Sequence, residues 1–152
     1  MATEAIELTG DESFGVSAEQ LFAKLVDLDF LASVLPDVES CQKVDSATLS
    51  CVVRPGFSFL RGRLTVTIAV AEQNPPVSAR LDVTSKGIGT TIRVDARLEI
   101  DPCPAGSHLR WRMQVVELKG LVAAVSRSLI AGAAEEVIRK TMQRVRETLA
   151  TP

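Results

Sequence analysis

The sequence predicts an α+β protein: a curved antiparallel sheet of about seven strands, two short helices near the N-terminus and one long C-terminal helix. Three observations carry that expectation. Apolar and polar residues alternate with period two in a first segment and again in a run of segments from Val38 to Leu118. Two short stretches with helical spacing lie between them, over 18–34. Residues 119–150 then repeat apolar positions every three or four residues without a break.

Ile6, Leu8, Gly10, Phe14 and Val16 share one parity, so residues 4–16 read as the first strand. Ser17-Ala18-Glu19-Gln20 starts a helix, with Ser17 as the cap and Gln20 placed to complete a capping box. Leu21, Phe22, Leu25, Val26 and Leu28 form its apolar stripe. A second short helix over 29–34 stops before Pro36, because a residue that precedes proline is pushed out of the α region. Strands follow at 38–44, 48–54, 63–70, 77–85, 90–100 and 109–118, with turns at Asp45-Ser46-Ala47, Pro55-Gly56, Asn74-Pro75-Pro76 and 101–106. Gly87-Ile88 fits a two-residue turn with Gly first. That turn sets Leu81 opposite Val94, Val83 opposite Ile92 and Ala79 opposite Ala96. On the other face it sets Asp82 opposite Arg93 and Arg80 opposite Asp95. In the last helix, Ile130, Ala134, Val137, Ile138, Thr141, Val145 and Leu149 share a face that is small in its middle, at Ala131-Gly132-Ala133-Ala134.

The chain has 152 residues, a length that suits one domain over 1–152 with a core able to hold the fold without metal or disulfide. Its 17 Lys and Arg against 19 Asp and Glu, with no Tyr, lack the basic, aromatic-studded balance of a nucleic-acid binder, and no nucleic-acid partner is expected. The N-terminus has neither the basic nor the apolar region of a signal peptide, and no apolar run is long enough to span a membrane. The expected address is cytoplasmic. Cys41, Cys51 and Cys103 are an odd number without a CxxC motif, which suits reduced thiols. A hairpin centred on Ser46 would bring Cys41 and Cys51 face to face, but a bond between directly paired strands is awkward, and none is expected.

No motif for catalysis or metal binding stands out. His108 is the sole histidine and reads as an exposed turn residue. No metal site and no cofactor are expected. Glu12 shares parity with Ile6, Leu8 and Phe14. It either points inward, as a candidate acid, base or ligand anchor, or reaches solvent at a fraying strand end. Arg61, Arg63, Arg93, Arg97, Arg110 and Arg112 belong to the convex side, either as a solvated face with cross-strand pairs or as a docking surface for a larger partner or an anionic membrane.

One terminal helix covers only a strip of so wide a sheet, so the sheet must curl and a gap is expected beneath the helix. The expected walls of this apolar pocket are Val66, Ile68, Val83, Ile92, Val94, Trp111 and Met113 from the strands, and Ala134, Val137, Ile138 and Thr141 from the helix. Trp111 and Met113 also suit ordinary core packing.

Several segments, taken in order, resemble the carbon monoxide dehydrogenase G-subunit family of the START-like, helix-grip superfamily. They are Phe14-Gly15-Val16-Ser17-Ala18-Glu19, Leu25-Val26-Asp27, Leu35-Pro36-Asp37-Val38-Glu39, Phe59-Leu60-Arg61-Gly62-Arg63-Leu64, Pro75-Pro76, Lys86-Gly87-Ile88-Gly89 and Lys119-Gly120-Leu121-Val122. The family's Leu-Pro-Gly is Leu35-Pro36-Asp37 here. Some relatives carry a long C-terminal extension, whereas this chain stops at Pro152, so no tail-borne membrane contact is expected. The resemblance implies a helix-grip fold, an apolar cavity for a small molecule or lipid, and an accessory role beside molybdenum-containing hydroxylases of the carbon monoxide dehydrogenase type. Three functions remain open: a non-catalytic carrier, a cyclase- or dehydratase-like enzyme using Glu12, and an interaction module with a filled core.

Overall fold

The computed structural model describes residues 6–150. Glu4 and Ala5, expected at the start of the first strand, lie outside the described residues. The elements run β1 (Ile6–Phe14), α1 (Ala18–Leu25), α2 (Leu28–Val34), β2 (Val38–Asp45), β3 (Thr48–Val53), β4 (Gly56–Phe57), β5 (Leu60–Arg61), β6 (Leu64–Asn74), β7 (Ser78–Gly87), β8 (Thr90–Cys103), β9 (Gly106–Gly120), a 3-10 turn (Leu121–Ala124) and α3 (Arg127–Ala150). Seven strands form one antiparallel sheet in the order β1-β9-β8-β7-β6-β3-β2, and β4 and β5 make a separate small ribbon. The expected α+β architecture is present, with its two short helices, seven-stranded sheet and long last helix.

Local chemistry sets the helix boundaries. The Ser17 hydroxyl accepts from the Gln20 backbone N–H, and the Gln20 side chain accepts from the Ser17 N–H, each at 3.1 Å. This is the capping box the sequence predicts. Asp27 caps α2, and Leu35, held extended ahead of Pro36, closes it.

The β7–β8 register differs from the expected one. The pairs are Leu81 with Ala96, Val83 with Val94, Asp82 with Asp95 and Arg80 with Arg97. The turn residues are Ile88 and Gly89, one position later than expected, and both have positive φ, 54° and 65°. A tight hairpin with both central residues left-handed matches the strand twist, and Gly89 takes that geometry freely. Moving the turn by one residue moves every partner by two, so the faces keep their identity: Leu81 is buried and its charged neighbours point outward.

On the convex side, Arg80, Arg97 and Arg112 stand in one cross-strand row, and Asp82, Asp95, Gln114 and Glu7 stand in the next. The ion pairs therefore run along strands and diagonally. Arg80 donates to Asp95 at 2.9 Å and to Asp82 at 3.0 Å, Arg97 donates to Asp95 at 3.1 Å, and Arg112 donates to Glu7 at 3.0 Å. Burial pushes the Asp95 carboxyl up, but the hydrogen bonds from Arg80 and Arg97 outweigh it and hold the group below its ordinary range. A depressed carboxylate stabilises the fold above its unfolded pKa of about 4, and that contribution disappears as pH falls through the folded value. Asp95→Asn should therefore lower the melting temperature by about 2–4 °C at pH 7, with the gap to the parent narrowing towards pH 3. Thermal melts of both proteins at the two pH values check this.

Two further expectations are corrected. Cys41 and Cys51 are directly paired across β2 and β3, and a disulfide joins them. The two Cα atoms are 4.0 Å apart, and the side chains of such a pair leave on the same face of the ladder. The reasoning from Ser46 placed the two residues correctly; the rejection of a bond between them fails. Residues 119–150 are also not one helix. Lys119 and Gly120 finish β9, a 3-10 turn follows, and Val125 is extended before α3 begins. Gly120 has φ 80°, a conformation a helix cannot continue through.

The best-packed part of the core lies at the end of the sheet covered by α1 and α2. Leu21, Val34, Ala96, Leu98, Ile100 and Leu109 are each at most 5% exposed. At the opposite end, a smaller cluster of Ile6, Val122 and Ile130 ties β1, the 3-10 turn and α3 together.

Candidate functional site: an apolar trough beneath the C-terminal helix

Alternation along the strands puts the concave residues in rows across the sheet. Ile68, Val83, Val94 and Val115 form one row, and Val70, Leu81, Ala96 and Met113 form the next. Leu98 pairs with Trp111 beyond them, and Val66, Ser85 and Ile92 continue towards the other end. All seven strand residues expected to line a pocket are on this face. Only Ile68 is fully buried. Val66, Val83, Ile92, Val94, Trp111 and Met113 are half-buried, although they point towards a helix. The backbone of α3 comes closest to β1 and α2.

On α3, Ile130 and Ile138 both pack into apolar clusters. Ala134 lies on the same stripe, one turn from each, and is half-buried with only a methyl group to offer. Val137 and Thr141 are half-buried too. The Thr141 hydroxyl donates to the Val137 carbonyl at 2.7 Å, which satisfies it within the helix. Met142 and Val145 are buried and complete the seam.

A groove of about 330 Å³ lies between the β4–β5 ribbon and the first turns of α3. Its walls include Phe57 and Phe59, whose rings stack at 5.7 Å, together with Leu129, Gly132 and Ala133. The sequence reading missed this groove. Pro55-Gly56 signalled a turn, but nothing in a four-residue-apart pair of short strands shows period two, and the ribbon's position against α3 is a tertiary fact.

Trp111 is pinned. A Cβ on Gly10, its cross-strand neighbour, would overlap the indole ring, so the absent side chain there is what admits the ring. The indole Nε1 is buried and has no hydrogen-bond partner among the described residues. A buried donor without an acceptor is uncommon in a native protein.

Glu12 has an ion-pair partner on α3. It is half-buried, and its carboxylate is ion-paired with Arg146 of α3, whose guanidinium also sits 5.6 Å from the centroid of the Phe14 ring. The pair clamps α3 to β1 and uses the carboxylate structurally. His108 is a half-buried strand residue rather than an exposed turn residue. Its Nδ1 is 3.1 Å from the Ser13 hydroxyl. No group of His, Cys, Asp and Glu able to hold a metal occurs among the described residues. No described helix is long and apolar enough to cross a membrane.

A seven-stranded antiparallel sheet with a long terminal helix packed against its apolar face defines the helix-grip class. The solved structures agree. A conserved protein from Geobacillus kaustophilus superposes with a TM-score of 0.85 at 18% identity, covering 95% of each chain. A START superfamily protein from Mycobacterium smegmatis gives 0.70 at 14% identity, covering 96% of this chain and 97% of that one. The protein Ara h 8.0201 gives 0.72 at 9% identity, covering 98% of this chain and all of that one. A search of curated protein sequences gave no match. The family model for the carbon monoxide dehydrogenase G subunit (CoxG) matches residues 10–150, and the chain belongs to that family.

Proposed function

We propose that the protein is a non-catalytic binder of an apolar small molecule or lipid, held in the trough between the sheet and α3, and that it acts as an accessory to a molybdenum hydroxylase complex of the carbon monoxide dehydrogenase type. The observation that carries the binding role is the half-exposure of Val66, Val83, Ile92, Val94, Trp111 and Met113 beneath their own covering helix. Side chains of this kind each gain about 1.5–3 kcal/mol on full burial, and the chain itself leaves part of that unrealised. A ligand filling the trough would complete it. The tie to a dehydrogenase complex rests on family membership alone.

Native mass spectrometry of protein purified without detergent tests this. The expected result is a bound species that is released on denaturation and partitions into organic solvent. A protein that carries no such species, and that takes up no fluorescent fatty acid or lipid probe at micromolar concentration, would end the carrier reading.

A further inference from the structure

β2 is the last strand of the sheet and pairs with β3 alone. Every residue of β2 except Val38 is exposed. Its ladder with β3 is interrupted twice, between Val38 and Ser40 and between Lys43 and Asp45. The charged side chains that tether it, Glu39 to Arg54 and Arg63 and Lys43 to Asp29, do so at the surface, where such pairs contribute little. One bond reaches deeper. Cys41 is exposed, whereas Cys51, to which it is bonded, is 1% exposed and belongs to the main core. Cys51 stands across from Val66, in the row that continues through Ser85 and Ile92 on the concave face. The disulfide therefore fastens an edge strand that has almost no buried face of its own to the flank of the trough.

We propose that the Cys41–Cys51 disulfide is a thiol-exchange site, a redox latch on β2 that a dithiol opens and an oxidised disulfide closes. A thiolate attacks a disulfide sulfur from the side opposite the bond it breaks, so access to that side decides which sulfur reacts. The bond bridges β3 to β2, and the side of the Cys41 Sγ away from Cys51 lies towards the open edge of the sheet. Attack at the Cys51 Sγ is closed off by the core around it. The incoming thiolate bonds to the Cys41 Sγ, the S–S bond breaks, and its electron pair leaves on the Cys51 Sγ, which takes a proton from water. The second thiolate of the dithiol then attacks the sulfur that made the mixed disulfide and displaces Cys41, which is protonated in turn. The protein gains two electrons and two protons, and the dithiol becomes an intramolecular disulfide. With the latch open, β2 keeps only an interrupted ladder and surface ion pairs. Loosening of β2 uncovers the flank of the trough and weakens its hold on cargo. That consequence for cargo rests on the binding role proposed above; the latch itself does not.

Thiol labelling of the full chain, read by mass spectrometry, tests the latch. Protein treated with oxidised glutathione should hold the Cys41–Cys51 bond. Dithiothreitol should open that bond in the folded protein, without denaturant, and Cys41 should then take an alkylating reagent before Cys51 does. Reduction should lower the melting temperature by about 5–10 °C and speed hydrogen exchange across 38–51 by at least about tenfold. Cys41→Ser, which leaves the buried Cys51 in place, should match the reduced protein and stop responding to dithiothreitol. Cys103→Ser, which touches the remaining cysteine, should respond as the parent does. Thiols at 41 and 51 that stay unbonded after the oxidising treatment would overturn the proposal. So would a bond that dithiothreitol reaches only in denaturant, or a reduced protein that melts and exchanges as the oxidised one does. Retention of a lipid probe should fall on reduction and in Cys41→Ser alike. Equal retention in both redox states would overturn the link from β2 to the trough, whereas a protein that binds no probe in either state would overturn the carrier reading and not the latch.

Discussion

Ala134→Trp should abolish ligand retention while leaving the fold in place. Ala134 sits on the α3 stripe between Ile130 and Ile138, each of which reaches an apolar cluster. Its methyl group is half-buried, facing a trough whose floor is made of half-buried valines, Trp111 and Met113. An indole at that position would occupy the volume that cargo needs. Filling open space differs from forcing bulk into a packed core, where overpacking costs about 1–3 kcal/mol. The expected outcome is at least about a tenfold loss of bound lipid probe, the factor that 1.4 kcal/mol represents, with a melting temperature within a few degrees of the parent. Ala134→Leu, a smaller change, should give an intermediate loss. If Ala134→Trp unfolds the protein and Ala134→Leu lowers its stability without touching uptake, the site is packed core and the interaction-module reading takes over.

Gly120→Ala should be a strongly destabilising small substitution at the end of β9. Gly120 has φ 80°, and a Cβ there would overlap the Gly89 carbonyl oxygen and stand 3.0 Å from its carbon. Neither is the flexible tip of a side chain, so β9 or the β7–β8 turn has to move. The left-handed conformation alone costs a non-glycine residue about 1–2 kcal/mol. With the displaced backbone added, about 3 kcal/mol is expected, or a fall of roughly 6–12 °C in Tm. The hydrogen bond from the Leu121 N–H to the Gly89 carbonyl would be lost too. Gly132→Ala is the contrasting case. Gly132 is inside α3 and a Cβ there meets nothing within 4 Å, so the substitution should raise stability by about 0.5–1 kcal/mol. Thermal or urea melts of the two variants give opposite signs if the reasoning is right; a Gly120→Ala protein as stable as the parent would contradict it.

Glu12 shows where reading by parity stops. Alternation placed it on the inward side of β1, and it is on that side, but the Arg146 that neutralises it comes from 134 residues further along the chain. No local pattern announces such a partner. The Cys41–Cys51 pair shows a different limit. Counting about Ser46 set the two residues opposite each other, whereas whether they bond depends on how their side chains leave the ladder.

The sequence by itself determined the order of elements, the capping box of α1, the concave and convex identity of nearly every strand residue, and the family. These follow from period-two and 3.6-residue repeats and from side-chain chemistry within a few positions, all of which are local. Tertiary structure alone decided the β7–β8 register, the break between β9 and α3, the Arg146 clamp and the groove between the β4–β5 ribbon and α3. Each of these depends on which distant backbone groups meet. A turn shifted by one residue, or a left-handed glycine at 120, leaves the hydrophobic pattern almost unchanged while redirecting the chain.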